Sequence, residues 1–202
     1  MKSIRLLAPM LCAALFATAS FATPSNAITQ CDRLAAHPED PDHVGVGIPS
    51  KQVDLPKAAA ACALELKKQP DNGRIRYQYA RALAYSGDWE GAAPEMKKAA
   101  DSGYRQAQFV YGLFVDRKRL ANVRDVCIAE KYWLKAAQAG RQHARVQYAH
   151  HHLNGKFSTC QTRASQAELA QLLNAAASDA SDFYERMLIG DLQQQLAAQS
   201  TK

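Results

Sequence analysis

Small apolar residues recur at helical spacing through most of the chain. Between residues 74 and 104, Ala80, Ala92 and Ala99 are separated by 12 and then 7 positions. A spacing of seven is two helical turns on one face, whereas a spacing of twelve crosses a turn between two antiparallel helices. The three small side chains are therefore expected to meet where the helices touch. The pattern predicts a helical hairpin.

The same arrangement appears again downstream. Gly112, Ala129 and Ala136 are separated by 17 and 7 positions, so the helix pairing is kept while the loop grows by five residues. The stretches "EMKKAADSG" and "YWLKAAQAG" end at Gly103 and Gly140, and glycine is favoured just after a helix C-terminus. Two successive hairpins are predicted.

A third unit begins at Ala149, and the register of its second half, residues 165–181, is left open. Tyr79, Tyr111 and Tyr148 precede the first small residue of the three units. Helices are predicted at about 54–69, 74–86, 88–101, 104–117, 127–139, 141–153, 165–178 and 181–197. Pro94 predicts a kink or a late start in the third of these. No alternating strand pattern competes, so the fold class is all-α.

The ends of the chain differ in character from this helical part. Residues 1–27 carry Lys2 and Arg5, then an apolar run, then small residues up to Ala27, which predicts a bacterial signal peptide. The alternatives are a retained membrane anchor and an acylated Cys12, although the leucine before Cys12 is too large for a lipoprotein signal. Residues 28–53 are rich in proline and glycine and predict an irregular N-terminal extension with one short helix. Residues 54–202 form the helical domain.

Removal of 27 residues from the chain of 202 leaves 175 and lowers the net charge from +6 to +4, because Lys2 and Arg5 are lost. No long basic block points to nucleic acid, and the rest of the chain has no apolar stretch long enough for stable membrane insertion. We therefore expect a periplasmic or secreted protein of a Gram-negative bacterium.

Cysteine usage agrees with export, because four cysteines remain after cleavage and disulfides persist in oxidising compartments. Cys31, Cys62, Cys127 and Cys160 allow three pairings. The pairs Cys31–Cys62 and Cys127–Cys160 are favoured, since 33 residues is close to one repeat and the second pair would join like places in adjacent units. Each bond closes a loop of about 30 residues, which stabilises the fold by roughly 3.5–4 kcal/mol.

The repeats resemble a known family. Residues 73–106 look like a tetratricopeptide repeat, and the next unit resembles a Sel1-like repeat, although its loop lacks the usual glycines and Tyr132 stands where tryptophan is common. The matching residues are Asp125, Ala129, Tyr132, Lys135, Ala136, Ala137 and Gly140. The resemblance implies a short right-handed α-solenoid of antiparallel hairpins, whose relatives scaffold protein complexes, often in the cell envelope.

In such a solenoid the first helix of each unit lines a concave binding surface. The predicted surface residues are Arg74, Tyr77, Arg81, Gln106, Phe109, Leu113, His143, Val146 and His150. Their cations, aromatic rings and apolar groups suit an extended peptide or a carboxylate, with charge-assisted hydrogen bonds from the arginines. The alternative is a groove that is only solvated, or one filled by the C-terminal helix, residues 181–197.

Other chemistry has less support in the sequence. His143 and His150 share a helix face and would bridge Zn²⁺ or Cu²⁺ only with further ligands, so packing or surface roles are favoured and no metal or cofactor is predicted. The motifs SxxK, HExxH, GxSxG and a phosphate-binding glycine loop are missing, which predicts a protein without catalytic activity.

Two non-catalytic functions fit the family resemblance. The first is a periplasmic interaction module that binds a protein or peptide on its concave face. The second is an immunity protein that neutralises a specific toxin or enzyme, as some exported Sel1-like proteins do. A metal-binding or β-lactam-binding role ranks behind both, because the Sel1-like proteins linked to β-lactams have closely spaced cysteines that this chain lacks.

Overall fold

A computed structural model describes residues 27–120 and 123–200 of the chain. The predicted signal peptide, including Cys12, lies outside the described residues except for Ala27. The described residues form helices and connecting segments without any strand, which confirms the all-α prediction. None of the described helices combines the length and the apolar composition that crossing a bilayer requires.

The helix boundaries follow the predicted pattern, with each end within three residues of its expected place. In chain order the described helices are α1 (Gln30–Ala35), α2 (Leu55–Lys68), α3 (Gly73–Tyr85), α4 (Trp89–Asp101), α5 (Arg105–Asp116), α6 (Val126–Gln138), α7 (Gln142–Leu153), α8 (Gln166–Asp179) and α9 (Phe183–Ser200), with a 3₁₀ turn at Ser50–Gln52 before α2. Helix α1 is the short helix expected in the N-terminal extension.

Helix α4 begins before Pro94, so the expectation of a late start is wrong. The Asp88 carboxylate accepts a hydrogen bond from the Gly91 amide at 2.9 Å and caps the helix at Trp89. Helices α4 and α6 stop at Gly103 and Gly140, whose φ angles of 91° and 84° lie in the left-handed region that favours glycine.

Each helix packs against the next one along the chain, and α3 also touches α5. Ala80, Ala92 and Ala99 are fully buried between α3 and α4, as the spacing predicts. In the next hairpin, Gly112 lets the Trp133 indole lie directly against the α5 backbone, where the indole N–H donates to the Phe109 carbonyl at 3.0 Å. Small residues therefore allow the close approach of the helices in both hairpins.

Two disulfides link neighbouring parts of the helical array. Cys31 is bonded to Cys62, which joins α1 to α2, and Cys127 is bonded to Cys160, which joins α6 to the segment before α8. This is the favoured pairing of the three.

The core is divided into three apolar clusters along the chain, around α1–α3, α3–α6 and α6–α9.

Candidate binding groove

Residues 28–53, the N-terminal segment, are folded against the first helices of the array. Asp32 of α1 is fully buried and accepts hydrogen bonds from Arg74 at 3.2 Å and from the Gln78 amide at 3.0 Å. Arg74 and Gln78 both lie on α3. The ion pair with Arg74 and the hydrogen bond from the Gln78 amide satisfy a carboxylate that has no access to water.

Arg81, one turn further along α3, holds the same segment by its backbone. Its guanidinium donates to the carbonyls of Ala35 at 2.7 Å, Ala36 at 3.1 Å and Ile48 at 2.7 Å, and the side chain is only 4% exposed. Two of these carbonyls end helix α1, where a cation is favourable. One arginine therefore holds the segment at two places, the end of α1 and Ile48.

Arg74 and Arg81, which are predicted donors to a bound peptide, form these hydrogen bonds within the chain itself. Most of their hydrogen-bonding groups are already used by partners that lie 33 to 46 residues away in sequence, so no local signal was available. The segment that covers this part of the groove is the N-terminal one and not the C-terminal helix. Helix α9 packs on α7 and α8 instead.

The N-terminal segment also contacts α5. Asp40, which is 1% exposed, accepts a hydrogen bond from the Tyr104 hydroxyl at 2.6 Å. Asp42 accepts two hydrogen bonds from Arg105, each 2.7 Å long. Burial raises the pKa of Asp40 above its usual value, and burial together with Asp40 raises the pKa of Tyr104. The segment thus forms a fixed wall along α3 and α5.

A cavity of about 330 Å³ lies between this wall and the helices, and we call it the arginine pocket. It is lined by His37, Glu39, Tyr77, Arg81, Ala84, Tyr85, Trp89, Met96, Gln106, Phe109, Val110, Leu113, Phe114, Arg117, Arg119 and Arg141. The floor is aromatic and apolar, and four arginines and one glutamate supply its charges. Its volume lies in the range of small-ligand sites.

The two buried arginines form hydrogen bonds to neutral groups. Arg81 bonds to carbonyl oxygens, while Arg141, also 4% exposed, donates to the Gln106 side-chain oxygen and lies 5.3 Å from the centre of the Phe109 ring. Arg119 is exposed and lies over the Trp89 ring at 5.2 Å. The pocket is therefore positively charged on an aromatic floor.

The histidines beside these arginines remain neutral near pH 7. Burial, and then Arg81, lower the pKa of His37 to about 4. Burial and Arg141 likewise lower the pKa of His143, whose Nδ1 lies 2.6 Å from an Arg141 nitrogen. Neutral imidazoles avoid adding charge next to the arginines and leave an acceptor for the Arg141 N–H.

A second cavity, of about 560 Å³, continues along α7 to the start of α9, and we call it the acidic pocket. It is lined by Phe109, Arg141, Gln142, His143, Val146, Gln147, Asp179, Ser181, Asp182, Tyr184, Glu185 and Leu188. Phe109 and Arg141 line both pockets, so the two cavities adjoin, and together we call them the groove. Tyr184 is 76% exposed and Leu188 is 43% exposed, so this end presents apolar surface to solvent.

Most of the predicted surface residues are brought together in this groove. Tyr77, Arg81, Gln106, Phe109 and Leu113 line the arginine pocket, and Phe109, His143 and Val146 line the acidic pocket. Arg74 lies beneath the N-terminal segment. His150 belongs to neither pocket, and its ring contacts Asn154 and His151. Within residues 27–120 and 123–200, no group of three or more potential ligands is arranged to hold a metal ion.

Sequence reasoning missed the residues that give the groove its charge. Arg117, Arg119 and Arg141 lie at helix ends and in loops, where helical periodicity carries no information, and His37 and Glu39 belong to the segment expected to be irregular. Arg117 and Arg119 belong to the stretch "DRKR", residues 116–119, whose polar composition is typical of a solvated loop. The place of this stretch at the C-terminal end of α5, a helix predicted to line the groove, was the available signal for a role in binding.

Comparison of the chain with protein-family models, curated proteins and solved structures finds no match. The resemblance to tetratricopeptide and Sel1-like repeats therefore rests on the repeated residues alone.

Proposed function

We propose that the protein is a non-catalytic interaction module that binds an extended segment of a partner protein along the groove formed by the arginine pocket and the acidic pocket. In this proposal the hairpins form a right-handed α-solenoid of the tetratricopeptide or Sel1-like type, and the groove lies on its concave face. The solenoid would supply a rigid platform, and the partner would supply an unfolded strand or tail.

The observation that carries the proposal is that the two pockets adjoin at Phe109 and Arg141, which line both of them. Two adjoining pockets that both contain aromatic groups suit an extended chain better than a compact small molecule. The groove also changes sign along its length, with arginines at one end and Asp179, Asp182 and Glu185 at the other. Opposite charges at the two ends give a bound chain a preferred direction.

Export to the periplasm is part of the proposal. The basic and apolar character of residues 1–27 supports it, and two disulfides within the described residues agree with an oxidising compartment. In such a compartment the Cys31–Cys62 bond would keep the N-terminal segment against α2 and so preserve the wall of the groove.

Photo-crosslinking tests this function in the cell envelope. p-Benzoylphenylalanine placed at Tyr184, an exposed ring that lines the acidic pocket, is expected to form a discrete adduct with a partner in cells that export the protein. The same photoreactive residue at Lys131, which is exposed on α6 and lines neither pocket, is the matched control. Absence of an adduct at Tyr184, or equal adducts at both positions, would reject the groove as the binding surface.

A further inference from the structure

We infer that the arginine pocket is an anchoring site for a carboxylate that is attached to an aromatic or branched apolar group. This inference deepens the proposed function, since it names the chemistry held at one end of the groove. It rests on the charges, the floor and the enclosure of the pocket.

The need for an anion follows from buried arginines whose hydrogen bonds go to neutral groups, while Asp40, the buried carboxylate that acts on Arg141, is hydrogen-bonded to Tyr104. Arg81 and Arg141 are each 4% exposed, and their bonds go to carbonyl oxygens, the Gln106 amide and the His143 ring. The Nε of Arg81 is buried and has no hydrogen-bond partner. The unpartnered donor and guanidinium groups bonded only to neutral acceptors both gain when a carboxylate enters, and charge-assisted bonds are the strongest of their kind.

The need for an apolar group on the ligand follows from the aromatic and apolar floor of the arginine pocket. Phe109, Leu113 and Phe114 of α5 lie below the arginines, and Tyr85 and Trp89 close the side formed by α3 and α4. An aromatic ring in this space would contact several rings at once and exclude water from the ion pair. A bare inorganic anion would leave this floor unused.

Two sources carry the same chemistry. A peptide would present an acidic residue beside phenylalanine, tryptophan or leucine, whereas a free aromatic carboxylate would present both groups on one small molecule. The volume of about 330 Å³ accommodates either the two side chains or the small molecule.

Binding measurements on the purified chain beginning at Ile28, with both disulfides intact, test the inference. The small probes are N-acetylphenylalanine and its neutral amide, and the peptide probes are acetyl-Gly-Ser-Glu-Phe-Ser-Gly-amide and the same peptide with Gln in place of Glu. Each charged probe is expected to bind about tenfold more tightly than its neutral match, which corresponds to one charge-assisted contact. Chemical-shift changes at Phe109, Val110 and Leu113 locate the site.

The double variant Arg117→Gln, Arg119→Gln removes the two exposed arginines of the rim without touching the bonds of Arg81 and Arg141. It is expected to lower the charged-to-neutral preference at least threefold, while Lys131→Gln leaves that preference unchanged. Tighter binding of the peptide identifies a protein source, and tighter binding of N-acetylphenylalanine identifies a small molecule.

Equal binding of charged and neutral probes, shifts outside the pocket, or no binding by any probe would overturn the inference. The crosslink from Tyr184 reports on the acidic pocket, so it can succeed when the arginine pocket fails. The proposed function and this inference are therefore separable.

Discussion

Residues with a left-handed backbone conformation at the ends of the helices show how single positions shape the fold. Gly87, Gly103, Gly140 and Gly155 follow α3, α4, α6 and α7 with positive φ angles. Lys118 takes the same position after α5 with a φ of 52°. Its amide donates to the Val115 carbonyl at 3.0 Å, as the Gly103 amide donates to Ala100 at 3.1 Å. Five of the described helices thus end with a residue in the left-handed conformation. At one of these ends the residue is a lysine, which disfavours that conformation.

Replacing Lys118 by glycine is expected to stabilise the protein by about 0.5–1 kcal/mol, because relief of left-handed strain outweighs the added freedom of the unfolded chain. Urea unfolding measures the change in the free energy of unfolding. Gly103→Ala is the opposing control and is expected to destabilise by about 1 kcal/mol or more, since it places a side chain at a φ of 91°. A destabilised Lys118→Gly variant would contradict this interpretation of the helix end.

At this scale the sequence was informative where a glycine stood at the end of an apolar pattern. Gly103 and Gly140 predicted two helix ends for that reason. Lys118 gave no such signal, because its conformation is imposed by the packing of α5 and not by its own preference.

Close contact between helices depends on residues without large side chains. A Cβ added at Gly112 would overlap the five-membered part of the Trp133 indole ring. Trp133 is fully buried and bonded to the Phe109 carbonyl, so it has little room to move. Phe109 in turn lines both pockets. Packing between α5 and α6 therefore supports the groove directly.

The Gly112→Ala variant is expected to lower the free energy of unfolding by about 1–3 kcal/mol, as overpacking in a dense core does. Gly190→Ala is the matched control, because a Cβ at Gly190 of α9 meets no atom within 4 Å. That change is expected to stabilise by about 0.5–1 kcal/mol through helix propensity. Thermal or urea unfolding compares the two, and equal effects of both changes would show that Gly112 is not a packing requirement.

The helices and their order were predictable because each is encoded by local spacing, caps and glycine stops. The position of the N-terminal segment was not, because it depends on pairs such as Asp32 with Arg74 and Asp42 with Arg105, which are 42 and 63 residues apart. Arg81 shows the ambiguity most clearly. A cation on the inner face of α3 fits a bound peptide and a folded-back chain equally well from sequence.

The whole molecule is expected to lose stability as the pH falls from 7 to 4. Burial and Arg81 hold the pKa of His37 at about 4, and burial and Lys156 do the same for His151, against 6.5 for a free histidine. The unfolded chain therefore binds more protons in this interval, so the free energy of unfolding decreases as protons are added. Asp40 acts in the opposite direction, because burial raises its pKa.

A His37→Asn variant isolates one of these groups. Asparagine keeps an acceptor for the Glu39 amide, which donates to His37 Nδ1 at 3.0 Å, but it does not titrate. Urea unfolding at pH 7 and at pH 4.5 is expected to give a smaller loss of stability in the variant than in the unaltered chain. An equal loss in both proteins would exclude His37 as a contributor.

At the scale of the molecule, the structure differs most from the sequence-based prediction in the place of the N-terminal segment. The N-terminal segment is a fixed wall of the groove, held by α3 and α5, and the pocket chemistry depends on it. A segment that leaves this place would expose Arg74 and Arg81 and open the arginine pocket on one side.

Hydrogen–deuterium exchange of the disulfide-bonded protein, resolved along residues 28–53, tests this claim most directly. The amides of Ala36 and Ile48 donate to the carbonyls of Asp32 and Ala36, at 3.2 and 2.8 Å. They are expected to exchange at least about 100 times more slowly than in an unfolded chain, as folded segments do. Exchange of both amides at the unfolded rate, while α3 and α5 stay protected, would contradict the account.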